Sequence, residues 1–203
     1  MADAVSICNL ALAHIGEEAP IISLDPPEGS EEAKACAAFY PTAVSTLLDA
    51  HDWNFATRRA VLTQYADADR NGWRFAYALP ADCIRAIAVR PSERQRFFGY
   101  VDSDFEIVAR GTGRVLLTDC PSAVLTYVSS EVSTGAYSPS FVDALAWLLA
   151  MHLAGERIKG KEGASFAQNC QKQYFAALAQ ARQNDARQFR SRADYRPDWI
   201  KVR

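Results

Sequence analysis

Residues 138–158, SPSFVDALAWLLAMHLAGERI, decide the fold. Ser138 reads as an N-cap, and Pro139 takes the first helical position, where a missing N–H costs nothing. From Ser140 to Ile158 the pattern is helical and apolar round much of its circumference, through Phe141, Val142, Leu145, Trp147, Leu148 and Leu149. A helix of that kind needs cover on most sides, so it is expected to be the central element. Its longest apolar run, Phe141 to Leu153, is interrupted by Asp143 and His152. It falls short of the roughly 20 apolar residues that span a bilayer, so no membrane partner is expected.

Working outward, Gly160 and Gly163 are expected to break the chain before a last helix. That helix carries Phe166, Cys170, Tyr174, Ala177, Leu178 and Ala181 on one face. On the N-terminal side the apolar period falls to two. Trp73, Phe75, Tyr77 and Leu79 alternate, as do Phe105, Ile107 and Ala109, and Val115 with Leu117 and Val124, Thr126 and Val128 add short strands. Gly99, residues 102–104 and Gly111 to Gly113 punctuate them, which predicts an antiparallel meander of four to six strands.

Farther out, helical spacing returns. Val5, Cys8, Leu12 and Ile15 share one face, with Gly16 as a stop. A proline-rich loop follows, then Ser30 as an N-cap with Glu31 and Glu32 in the first turn, where they favour the helix dipole. Ala33, Cys36, Ala37, Tyr40, Val44, Leu47 and Leu48 continue that helix to about Ala50, and Pro41 within it predicts a kink or two pieces. Helices, then strands, then helices imply an α+β domain. Residues 1–57 and 138–186 form a helical bundle core, 58–137 an inserted antiparallel β region, and 187–203 an extended C-terminal arm.

The arm rests on charge as well as pattern. Residues 182–203, RQNDARQFRSRADYRPDWIKVR, hold seven Arg or Lys against three Asp, while the preceding 181 residues are net acidic. No helical or strand period continues after about Ala186. Phe189, Tyr195, Trp199, Ile200 and Val202 stand among polar residues, and Pro197 favours an extended path. Such a segment cannot bury enough apolar surface to order itself, yet it carries large anchors, which points to binding a partner.

Composition narrows the function. At 203 residues with 49% apolar and 23% charged, the chain suits one globular domain with an arm. A net charge of −2 makes the whole a poor generic nucleic-acid binder. Cys8, Cys36, Cys83, Cys120 and Cys170 are odd in number and widely spaced, so they read as reduced core thiols in a cytosolically made protein. The N-terminus lacks the basic region and cleavage site of a signal peptide.

Candidate chemistry is sparse. His14, His51 and His152 lie far apart, and His152 with Glu156 is only half a metal site, read as a packed imidazole. No G-x-S-x-G or cysteine-nucleophile signature occurs. Gly111-Thr112-Gly113 lacks the Lys-Ser/Thr of a phosphate loop and reads as a hairpin turn. His51-Asp52-Trp53-Asn54-Phe55 reads as a plug pinning a helix end to the core. Arg90, Arg94 and Arg96 with Phe97, Phe98 and Tyr100 mix cations and aromatics, and beside an acidic body they read as a subunit interface. The cluster Glu17, Glu18, Asp25, Glu28, Glu31 and Glu32 admits an alternative reading, a peptidoglycan hydrolase acting during infection, although these carboxylates read as solvated, with nothing to predict the desolvation that would separate their pKa values. A third reading is a cytosolic DNA-binding accessory protein. No catalytic residue, metal or cofactor is assigned.

Several blocks resemble a known family. Ile7 to Leu12, His14-Ile15-Gly16-Glu17 and Ile22-Ser23-Leu24-Asp25 are similar to the opening of the head-to-tail adaptor, or tail tubular protein A, family of short-tailed phages. Cys36, Tyr40, Leu47-Leu48 and His51 to Ala56 resemble its next block, in which many members have Pro at the position of Asp52. Ala81-Asp82-Cys83, the Leu145 to Gly160 helix and the closing Asp198-Trp199-Ile200 with Arg203 extend the resemblance over nearly the whole chain. Its motifs are structural, not catalytic.

The resemblance implies a non-enzymatic protein of the virion's head-tail junction, made in the host cytoplasm. It implies a ring, usually of twelve copies, beneath the portal protein, carrying the DNA channel onward and offering a platform to the tail tube or nozzle protein. Double-stranded DNA would pass through without specific binding. By the same resemblance the C-terminal segment docks into the portal through Phe189, Tyr195, Pro197, Trp199 and Ile200, aided by Arg187, Arg190, Arg192 and Arg196.

Overall fold

The N-terminal helix shows how closely local sequence sets these elements. In α1 (Ala4–His14), Asp3 accepts a hydrogen bond from the Ser6 amide at 2.7 Å, and Ser6 Oγ accepts one from the Asp3 amide at 2.9 Å. This reciprocal cap satisfies amides the helix start would otherwise leave unpaired. At the other end Gly16 has φ +82°, which lets its N–H reach the Ala13 carbonyl and the Glu17 N–H reach that of Leu12. The structure, a computed structural model, describes residues 3–17, 19–66, 72–92, 102–111, 113–157 and 161–188.

The fold is mixed α+β. Among the described residues α1 is followed by α2 (Glu31–Asp49), six strands, α3 (Pro139–Arg157) and α4 (Lys161–Gln188). Ser30 caps α2, its Oγ accepting from the Ala33 amide. Pro41 does not divide α2, which is one uninterrupted helix. The residues before it (Ala33, Ala35, Cys36) and after it (Ala43, Leu47, Leu48) are anchored in two adjoining clusters, so packing on both sides carries the helix across the missing N–H. Ser138 caps α3 through the Phe141 amide, and α1, α2 and α4 all pack on α3. Phe141, Ala144, Leu145 and Leu148 serve one cluster, while Ala146, Leu149, Ala150, Leu153 and Ala154 serve the other. The expected central role of this segment is thus met.

Gly163 does not break the chain, because it lies in the first turn of α4. α4 continues through Gln188, two residues beyond the expected end of the bundle core at 186. The buried spacing Cys170, Tyr174, Leu178, Ala181 runs one step further to Asp185. A carboxylate in an apolar position hid the last turns of the period from a hydrophobicity reading.

The strands are antiparallel but do not form a simple meander. β1 (Thr57–Val61), β6 (Ala123–Ser129) and β3 (Cys83–Pro91) make one sheet in that order. β2 (Phe75–Ala78), β5 (Gly113–Thr118) and β4 (Phe105–Arg110) make the other. Among the described strands only β4 and β5 are a hairpin of neighbours, turning at Gly111 with φ +57° as expected. β6 is buried along most of its length, which fits a centre between two partners and not the edge a meander would give its last strand.

Two isolated bridges join the sheets. Gln64 pairs with Tyr77, continuing β1 alongside β2, and Ser103 pairs with Val89, bringing the approach to β4 alongside β3. The six strands therefore run round one core of Leu62, Tyr77, Val89, Leu116, Leu125 and Tyr127. The outer face of the first sheet meets the helices through Val128, Ile84 and Ile87. All five cysteines are buried and unpaired as disulfides, matching the expectation of core thiols.

Candidate functional site

The segment from His51 to Phe55 leaves α2 and turns sharply into β1. Trp53 is fully buried, its Nε1–H donating to the Leu47 carbonyl at 2.8 Å and its ring meeting Phe141 edge-on at 5.0 Å. Phe55 also packs edge-on against Phe141, so the two rings close the helix end as the plug reading expected. The residue between them, Asn54, has a different task.

Asp185, on the last turns of α4, is the one charged side chain buried among the described residues, at 4% exposure. The Asn54 amide N–H donates to both its carboxylate oxygens at 3.2 Å. Asn54 Nδ2 donates to Asp185 Oδ2 at 3.0 Å and to the Asp185 carbonyl at 2.9 Å. His51 Nε2 lies 3.4 Å from Oδ2, and Arg182 donates to the Ala50 carbonyl at 2.6 Å. Three of these four hydrogen bonds fall on the carboxylate and make its burial tolerable, and together the four latch the end of α4 to the turn after α2. Nothing in local sequence spacing pairs Asn54 with Asp185. The signal available was Asp185 at a helical core position.

Beside this latch lies a cleft of about 480 Å³. Its walls are the turn (His51, Asp52, Asn54), β1 (Thr57, Arg59), β3 (Ile87, Ala88, Arg90), Thr126 of β6 and the end of α4 (Asp185, Ala186), with Asp102 at one side. Much of its charge is committed internally. Arg90 Nε bonds Asp102 at 2.5 Å, and Arg85 Nη2 bonds Asp52 at 2.6 Å.

No protein-family model and no curated protein matches this sequence.

Of the residues assigned to portal docking, only Arg187 falls within the described structure, exposed in the last turn of α4 and two residues past the latch. Phe189, Arg190, Arg192, Tyr195, Arg196, Pro197, Trp199 and Ile200 lie outside the described residues. So do Arg94, Arg96, Phe97, Phe98 and Tyr100 of the expected subunit interface.

Within the described residues, side chains from the blocks that carry the family resemblance hold parts of the fold together. Asn9 clamps the loop after α1, its Nδ2 donating to the Ile21 carbonyl and its Oδ1 accepting from the Ile21 amide. Asp82 sits between β2 and β3, accepting from Ser129 Oγ at 2.6 Å and from Tyr127 OH at 3.1 Å. Burial opposes ionisation of Asp82, yet the Ser129 and Tyr127 hydrogen bonds and Arg58 outweigh it, so its pKa lies below the usual carboxylate value.

The clustered carboxylates also serve local structure. Glu28 accepts from the Ile22 amide and from Ser30 Oγ, and Glu31 pairs with Lys34 at 2.8 Å with its side chain largely exposed. His152 stacks on Phe39 at 5.7 Å, and His14 on Trp147 at 3.7 Å. Burial lowers the pKa of both imidazoles, with Asp143 pulling the other way at His14. Among the described residues no three His, Cys, Asp or Glu side chains gather as a metal group, and no helix is long and apolar enough to cross a membrane.

Proposed function

We propose that this chain is a structural adaptor of the phage head-to-tail connector kind, and that its C-terminal segment binds the portal protein. On this reading the four helices act as a bundle carrying the β unit, and residues 189–203 act as an extended arm. Copies assemble as a ring of about twelve under the portal, as the family resemblance implies, and a tail tube or nozzle protein attaches below. Double-stranded DNA passes through the ring without sequence readout.

The observation that carries the proposal is the latch. Asp185, Asn54 and Arg182 fix the last turns of α4 to the body, and the basic, aromatic-bearing residues 189–203 follow those turns directly in sequence. A binding segment tethered to a rigid body suits multivalent attachment, where many copies multiply a modest single-site affinity. The quoted family blocks add support, because Asn9, Trp53, Asn54 and Asp82 all act as fold determinants.

The test is a comparison of the full chain with a chain ending at Gln188, both titrated onto the portal protein encoded with it. The proposal expects the truncated chain to keep its thermal stability and lose at least tenfold in affinity, with Trp199→Ala giving part of that loss. Undiminished binding by the truncated chain would sink the proposal.

A further inference from the structure

Among the described residues β1 has one paired edge and one open one. Ser129 N–H donates to the Ala56 carbonyl, and Leu62 N–H to that of Ala123. With the β1–β6 register, this alternation turns the backbone groups of Arg58 and Ala60 toward β6. Those of Thr57, Arg59 and Val61 therefore point the opposite way. Farther along, the same edge is in use, since Ala78 N–H donates to the Thr63 carbonyl and Tyr65 N–H to that of Ala76.

The ladder stops there for a chemical reason. Continuing the pairing of Gln64 with Tyr77 would set Pro80 opposite Val61, and proline has no N–H to give. Three residues are left whose outward N–H and C=O groups have no partner among the described residues. Val61 is 72% exposed, and Arg59 is exposed as well.

The open edge borders the cleft. Thr57 and Arg59 line it, facing Ile87 and Thr126. The other arginines of this sheet are engaged. Arg58 lies near Asp82 and Glu131, Arg85 near Asp49 and Asp52, and Arg90 near Asp102. Arg59 has no ion-pair partner among the described residues.

We infer that the β1 edge and the adjoining cleft bind an extended, acidic segment of another protein by strand addition. The segment's backbone pairs with Thr57, Arg59 and Val61, and one of its carboxylates meets Arg59 in the cleft. Backbone pairing supplies affinity in such a mode, and the pocketed side chain supplies selectivity. Charged residues on an edge also deter random pairing, so Arg59 selects against neutral or basic strands while admitting an acidic one. The inference concerns the β unit and stands apart from the C-terminal segment.

The test uses the full chain with blocked peptides of alternating Thr and Glu, or alternating Thr and Lys. Amide exchange and amide shifts are read by NMR at Thr57, Arg59 and Val61. The Glu peptide should slow exchange at these three amides, and the Lys peptide should not. Arg59→Glu should weaken the Glu peptide about tenfold or more, the loss expected for a charge-assisted pair near 1.4 kcal/mol. Val61→Pro removes an N–H that faces away from β6, so it should abolish binding while leaving the melting temperature near that of the parent. Exchange unaffected by the Glu peptide, or equal effects of both peptides, would mean a solvated edge only and overturn the inference. Protection that rises with protein concentration alone and is lost in Val61→Pro would assign the edge to a second copy of the chain, which also overturns it.

Discussion

Asp185 is the residue on which the C-terminal half of the fold turns. Replacing it with Ala leaves the Asn54 backbone amide without its acceptor and the Asn54 side chain with only the Asp185 carbonyl, and a part-buried unsatisfied donor costs about 1–3 kcal/mol. Chemical denaturation of Asp185→Ala is therefore expected to show a loss in that range. Asp185→Asn should lose less, because its remaining carbonyl oxygen still accepts. Equal stability of Asp185→Ala and the parent would contradict the latch. The same residue marks a limit of sequence reading. A helical period is recognised by apolar residues, and a satisfied carboxylate in the buried register looks like its end.

Acid sensitivity also belongs to single residues. His14 and His152 have pKa values lowered from 6.5 by burial, so the unfolded chain binds protons more readily than the folded one. Their contribution is present above about pH 6.5 and is lost as pH falls below it. Asp82, lowered from 3.8, adds stability that is lost only at more acid pH. The melting temperature should thus decline from pH 7 to pH 5, and His14→Gln with His152→Gln should flatten that decline. An unchanged slope in the double variant would contradict the assignment.

At the scale of elements, sequence pattern served the helices better than the strands. α3 was legible throughout because its apolar circumference and its Ser-Pro start both follow from helix geometry. β3 was missed because two register shifts, between Cys83 and Arg85 and between Ala86 and Ala88, destroy the alternation that marks a strand. β1 was missed because its centre is Arg58-Arg59, exposed on an edge. Strand order was illegible for a further reason, since bridges such as Val89 with Ser103 are long-range pairings with no local signature.

The continuity of α2 yields a prediction at this scale. Pro41 is exposed and breaks one backbone hydrogen bond inside an otherwise anchored helix. Pro41→Ala restores the donor and relieves the ring's clash with the preceding turn, and should raise stability by roughly 1–3 kcal/mol. A destabilised Pro41→Ala, measured by denaturant midpoint, would mean that the proline's geometry is itself required by the packing of α1 and α3 on either side.

The whole molecule joins a helical layer to a nearly closed β unit through Val128, Ile84 and Ile87, with the plug and the latch at the seam. The separate parts of the candidate site were legible as a plug and as a charge asymmetry, but their meeting was not. Asn54 and Asp185 are 131 residues apart, and no local pattern announces that contact. The proposed adaptor function would place its demands at this scale, since a ring would have to form from many such bodies, each presenting its C-terminal segment alike. The most direct measurement mixes the chain with the portal protein encoded with it and images the particles by electron microscopy. The account predicts a ring of copies seated on one end of the portal for the full chain, and bare portals for the chain ending at Gln188. Bare portals with both chains, or rings with both, would contradict it.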